Sequence, residues 1–244
     1  MGFEDGPDSG WPGTDWIENL VLAAAGPDAY DRWTFQGIPF ESPEVREAFR
    51  RLGRIVFTDG SVLGGAKRAA RTPFWEAQLP MVEQNPPGCW LHQFASFAQG
   101  FLPPGAAGRD TNAFPFPPVT EGSSRATIGG GEMIGAFAGR PEVREVVRLL
   151  LSPGIEDVTS QLSEGVIVAN RRFDMRNYSP FLRHQAEVVY ASLATDTFRF
   201  DGSDLMPPVI GHDLFWKAMM TYMAEGPESL DRILAELDAA RPDG

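Results

Sequence analysis

The 244-residue sequence predicts an α/β architecture dominated by helix, and two observations carry that reading. Segments of helical length with apolar residues three and four apart recur along the chain, each bounded by Gly, Pro or a capping residue. Stretches suited to strands are few and short, and they alternate with the helices, which favours strands covered by helices over a sandwich.

Taken in order, the first helix is expected from Asp15. Glu18 stands three positions on, Ile17, Leu20, Val21 and Ala24 form an apolar face, and Gly26-Pro27 marks the end. A second helix is expected over Asp28 to Gln36. Ser42-Pro43-Glu44 opens a third, with Val45, Phe49, Leu52 and Val56 on one side. Leu79 to Val82 reads as a short strand and His92 to Phe101 as a helix, with Pro86 to Gly88 breaking the chain between them. Pro103 to Pro118 is too rich in proline for anything but loop and edge strand. Ala126 to Phe137 suggests a glycine-rich loop that enters a buried strand at Met133-Ile134-Gly135-Ala136-Phe137. Pro141-Glu142-Val143-Arg144-Glu145 starts the next helix and nearly copies Pro43 to Glu47; Pro first and acids in the first turn are what any helix start favours, so this is no repeat. Further helices are expected at Ile155 to Ser163, Pro180 to Leu193, Leu214 to Ala224 and Leu230 to Ala239.

Composition narrows the function. Lys+Arg 21 against Asp+Glu 33 gives a net charge of -12, which repels phosphate backbones and excludes nucleic acid as the natural partner. The single cysteine, Cys89, can form no intrachain disulfide, and its apolar surroundings suit a buried, inert thiol. The acidic start Met1 to Gly6 lacks the basic and apolar regions of a signal peptide, and the apolar run Leu20 to Ala25 is too short to span a bilayer.

The stretch Thr197-Phe198-Arg199-Phe200-Asp201-Gly202-Ser203-Asp204-Leu205-Met206-Pro207-Pro208 sets aromatic rings, a guanidinium and two carboxylates together. Aromatic faces stack on the C–H faces of a pyranose, and planar Arg and carboxylate groups take neighbouring hydroxyls, so the combination suits a sugar. With Gly10-Trp11-Pro12-Gly13-Thr14-Asp15-Trp16-Ile17-Glu18, Gly88-Cys89-Trp90-Leu91-His92-Gln93-Phe94-Ala95-Ser96-Phe97 and Gly129-Gly130-Gly131-Glu132-Met133, it resembles the alpha-glucoside branch of ABC-transporter extracellular solute-binding proteins. The motifs come in that family's order and span nearly the whole chain. The resemblance implies a periplasmic-binding-protein-like fold of type II, present as its latter portion: residues 1–122 as the first segment of the second lobe, 123–164 as a hinge-crossing segment of the first lobe, and 165–244 as the segment that closes the second lobe. It further implies reversible capture of an alpha-glucoside or oligosaccharide at the periplasmic or extracellular face of the membrane, and delivery to the permease subunits of an importer. No cofactor or metal belongs to that activity. Without the rest of the first lobe, Ile134, Phe137, Val146 and Leu150 are expected to leave an apolar patch prone to association.

The candidate ligand-binding residues are Trp11, Trp90, His92, Gly129, Gly130, Arg199, Asp201 and Asp204. Each has a structural alternative. Trp11 can anchor its own loop, His92 can cap a helix or serve the core, Gly129 and Gly130 can make a tight turn, and Arg199 can pair locally with Asp201 while Phe198 and Phe200 enter the core. Trp16 reads as core. A glycosidase would need an acid and a nucleophile across a cleft; Asp201 and Asp204 lie three residues apart in one expected loop, and Asp15 with Glu18 is explained by capping. Gly-x-Ser-x-Gly, His-Glu-x-x-His, Gly-x-x-x-x-Gly-Lys and Cys-x-x-Cys are all absent. A fragment or interaction module that no longer binds sugar is the remaining alternative.

Overall fold

A computed structural model describes residues 1–119, 127–162 and 165–241. Helices dominate them: α1 (Trp11–Ala25), α2 (Pro27–Thr34), α3 (Pro43–Val56), α4 (Gly65–Ala69), α5 (Pro141–Leu150), α6 (Pro153–Leu162), α7 (Pro180–Ala194), α8 (Gly202–Leu205), α9 (Phe215–Glu225) and α10 (Leu230–Ala239). The strands are β1 (Thr127–Gly129) and β2 (Phe198–Phe200), paired in parallel with Ile128 opposite Arg199. The expected boundary between residues 122 and 123 and the expected helix end at Ser163 lie outside the described residues.

The main core lies where α1, α3 and α9 meet. The spacing in α3 aims Val45, Phe49, Leu52 and Val56 at it, all buried, and Ser42 caps the helix by accepting from the Val45 amide at 3.4 Å. Ile17, Leu20 and Val21 come from α1, Phe215, Met219 and Tyr222 from α9, and Ile233, Leu234 and Leu237 from α10. Trp33 of α2 closes the end with edge-on contacts to Phe40 at 5.5 Å and Phe215 at 5.9 Å. Trp16 is half-buried, packed on this core and edge-on to Phe116 at 6.0 Å. A second, smaller core gathers Val168, Phe173, Tyr178, Leu182 and Ala186, with the Tyr178 hydroxyl accepting from the Val168 amide at 2.6 Å.

Several local expectations are corrected. Helix α1 begins at Trp11, so Asp15 lies inside it and caps nothing. Leu79–Met81 forms one turn of 3-10 helix where a strand was expected, because Pro80 supplies no ladder donor. The helix expected from His92 is confined to a 3-10 segment, Ser96–Phe101; Phe94, Phe97 and Phe101 pack into an aromatic group with Phe74, and that packing overrides helix propensity. Met133 to Phe137 is no buried strand: Met133 and Phe137 are almost fully exposed, and the strand of this region lies earlier, at β1, where its carbonyls find β2. The apolar face of α5 is exposed as expected, with Val146 and Leu149 more than half accessible. Cys89 is half-buried, and burial raises its thiol above the usual range.

Candidate functional site

The start of α1 lies between two clusters of the expected ligand-binding residues. Gly10, the residue before the helix, has φ of 112°, and a side chain there would strike the Trp216 carbonyl, so glycine is what lets α1 begin against α9. The next residue, Trp11, donates its indole N–H to Asp5 at 2.8 Å and meets Phe74 at 5.0 Å and Phe94 at 5.7 Å. His92 stacks on Phe94 at 5.4 Å with both ring nitrogens buried and without a partner; burial lowers its pKa to about 3, so the imidazole is neutral. Trp90, on the preceding loop, is 75% exposed and offers an open indole face.

The second cluster is an acidic corner where β1, β2 and α8 converge. The Asp201 amide donates to the Gly129 carbonyl at 3.1 Å, which continues the β1–β2 ladder by one rung. The Asp201 side chain caps α8, accepting from the Ser203 hydroxyl at 2.8 Å and the Asp204 amide at 3.1 Å. Beneath it lies Glu18, fully buried, accepting from the Gly202 amide at 2.6 Å and the Ser203 amide at 3.1 Å. Asp204 stands at the rim, 3.2 Å from Nε2 of His212, which sits on a π-helical turn, Ile210–Leu214, leading into α9 and stacks on Trp216 at 5.4 Å. Gly130 faces Asp204 across open space, since a Cβ built there would meet only the Asp204 carboxylate, at 3.9 Å.

Carboxylates crowd this corner, and their electrostatics follow. Burial, then Asp201, push the Asp15 carboxyl well above its usual range; burial, then Asp201 and Asp15, do the same to Glu18. Burial and Asp201 raise Asp204, with His212 opposing. Among the described residues no group of three or more His, Cys, Asp or Glu is placed to hold a metal ion.

Four of the eight sequence candidates thus meet at one corner (Gly129, Gly130, Asp201, Asp204), two pack in the aromatic group (Trp11, His92), and Trp90 stands exposed on the loop before it. Arg199 joins neither, and it does not pair with Asp201. Its Nε donates to Asp31 at 2.6 Å and its terminal nitrogen to the carbonyls of Asp196 and Phe198, which ties β2 to α2. Phe200 is 54% exposed rather than core, edge-on to Phe198 at 5.4 Å. Sequence reasoning read Glu18 as part of a helix cap, which the buried bonds to Gly202 and Ser203 correct, and missed His212 and Trp216. For Glu18 a signal existed: the helix is apolar on nearly every side, so an acid within it is buried and needs donors. For His212 and Trp216 none did, because only the close approach of the π turn to α8 brings them to the corner.

The chain is 33% identical over 236 residues to the osmoprotective compounds-binding protein of Synechocystis sp., covering 96% of this chain and 55% of that protein. It is 33% identical over 235 residues to the alpha-glucosides-binding periplasmic protein of Rhizobium meliloti, covering 95% of this chain and 50% of that protein. Both relatives are binding proteins. The chain therefore spans about half the length of the curated relatives it matches. No family model and no solved structure matches it. Among the described residues no helix is long and apolar enough to cross a membrane.

Proposed function

We propose that this chain carries part of the ligand-binding face of a carbohydrate solute-binding protein, which captures an alpha-glucoside or related oligosaccharide outside the membrane and delivers it to an ABC permease. The observation that carries this reading is the match along almost the whole chain to two binding proteins, one of them named for alpha-glucosides. The geometry is compatible with it. Asp204 and His212 offer exposed polar groups for hydroxyls, the Gly129–Gly130 backbone leaves room beside them, and the open face of Trp90 suits stacking on a sugar ring. In this reading Asp201 and Arg199 hold the corner in shape, since their side chains are already engaged by Ser203 and Asp31.

Titration of the isotope-labelled chain with maltose, sucrose or trehalose, followed by NMR, tests it. Shifts are expected at the Asp204 amide and the Trp90 and Trp216 indoles, with Kd near millimolar, about 4 kcal/mol of binding, because the chain holds only part of what the relatives hold. Asp204→Ala and Trp90→Ala should each weaken binding roughly fivefold, about 1 kcal/mol. No shift with any of the three sugars overturns the reading, and release of the aglycone from an aryl alpha-glucoside would replace it with a hydrolase.

A further inference from the structure

Glu18 is the least exposed ionisable residue of the acidic corner, and if it is charged the single proton of the Tyr30 hydroxyl beside it faces two acceptors. The Tyr30 hydroxyl lies 2.9 Å from Oε2 of Glu18 and 2.9 Å from the Phe200 carbonyl oxygen. A phenol has one proton, and a backbone carbonyl only accepts. With Glu18 charged that proton is shared between two acceptors; each contact is a full two-centre bond only if Tyr30 donates to Phe200 and Glu18 donates to Tyr30. The two backbone donors, Gly202 to Oε2 and Ser203 to Oε1, can still be accepted, since each oxygen of a protonated carboxyl keeps lone pairs.

We infer that Glu18 is protonated in the folded protein at neutral pH, and that the relay Glu18 to Tyr30 to the Phe200 carbonyl locks the Phe200–Asp204 corner onto α1 and α2. This goes beyond the proposed function and holds whether or not the corner meets a sugar. The surroundings support it. From α1 the neighbouring titratable group is Asp15, from α2 it is Tyr30, and from the α8 cap it is Asp201, with Asp204 and His212 beyond; Arg199, the cation of β2, is engaged by Asp31 and Asp196. Helices α3 and α9, also packed on α1, add apolar side chains such as Phe49 and Met219 to the same core. Burial, then Asp201 and Asp15, outweigh the hydrogen bonds from Gly202 and Tyr30 that favour the charged form, and raise the carboxyl well above its usual range.

The sign is then fixed. A carboxyl whose pKa is raised by folding adds stability that is complete below its unfolded pKa and is lost as pH rises through its folded value. Infrared difference spectra and thermal unfolding between pH 5 and 9, on wild type, Glu18→Gln and Asp15→Asn, test the inference. At neutral pH, wild type should show protonated-carboxyl C=O absorption whose Glu18 component is missing in Glu18→Gln and kept in Asp15→Asn. The fall of the unfolding midpoint with rising pH should be shallower in Glu18→Gln. The amide cannot accept where it donates, so an overall loss of stability is expected in that variant and the slope is the readout. Protonated-carboxyl absorption left unchanged by Glu18→Gln, its complete loss in Asp15→Asn, or an unchanged slope overturns the inference.

Discussion

Gly53 shows how one atom can decide a residue's worth. In an exposed helix Gly→Ala adds about 0.5–1 kcal/mol, because alanine has less backbone entropy to lose. In α3, however, a Cβ at position 53 would press on the Tyr222 hydroxyl, which donates to the Phe49 carbonyl at 3.0 Å in the centre of the core. Overpacking of that kind costs roughly 1–3 kcal/mol, so Gly53→Ala is expected to destabilise despite its propensity. Urea unfolding of Gly53→Ala, Tyr222→Phe and the double variant checks this: the two changes should be less than additive, because removing the hydroxyl frees the space the methyl needs. Strict additivity would show that the methyl and the hydroxyl do not meet.

At the scale of elements, α3 and α5 have nearly the same opening sequence and opposite fates. Pro43-Glu44-Val45-Arg46-Glu47 and Pro141-Glu142-Val143-Arg144-Glu145 both start a helix, and each helix carries an apolar stripe. The stripe of α3 lies in the main core, whereas α5 has no buried residue and packs mainly on α6. Local opening is resisted by buried apolar contacts, so amides of α5 should exchange with solvent far faster than those of α3. Hydrogen exchange read by mass spectrometry gives both rates in one experiment. Equal protection in a monomer would mean that α5 is covered in a way its contacts here do not provide.

For the whole molecule, the same stripe combines with charge to set solution behaviour. A net charge of -12 keeps copies apart, while Val146, Leu149, Leu150 and Leu151 expose a contiguous run of large apolar side chains that invites them together. Because electrostatic repulsion is screened within about 10 Å at 0.1 M salt and apolar attraction is not, association should increase with added salt. Sedimentation at low and high salt measures it. Val146→Glu with Leu149→Glu should leave the chain monomeric at both, with little change in stability, since neither side chain is buried. Persistent association of that variant would locate the contact elsewhere.

The sequence by itself determined the helices whose ends carry their own chemistry. Ser42-Pro43 fixed the start of α3, Gly26 the end of α1, and Leu230 to Ala239 appeared as α10 with both ends as read, because caps and apolar spacing act over a few residues. It also kept Asp201 and Asp204 close together in one expected loop, which the structure shows to be the capped start of α8. What only the tertiary structure decided depends on distant partners. Arg199 turns to Asp31, 168 positions away, and Glu18 holds the start of α8 from 184 positions away. The helix read at His92 gives way to a ring cluster with Trp11 and Phe74, and the strand read at Met133 to Phe137 has no neighbour to pair with among the described residues. Local spacing says which residues share a face; which face meets a carboxylate, a ring or water is settled only when the chain returns to itself.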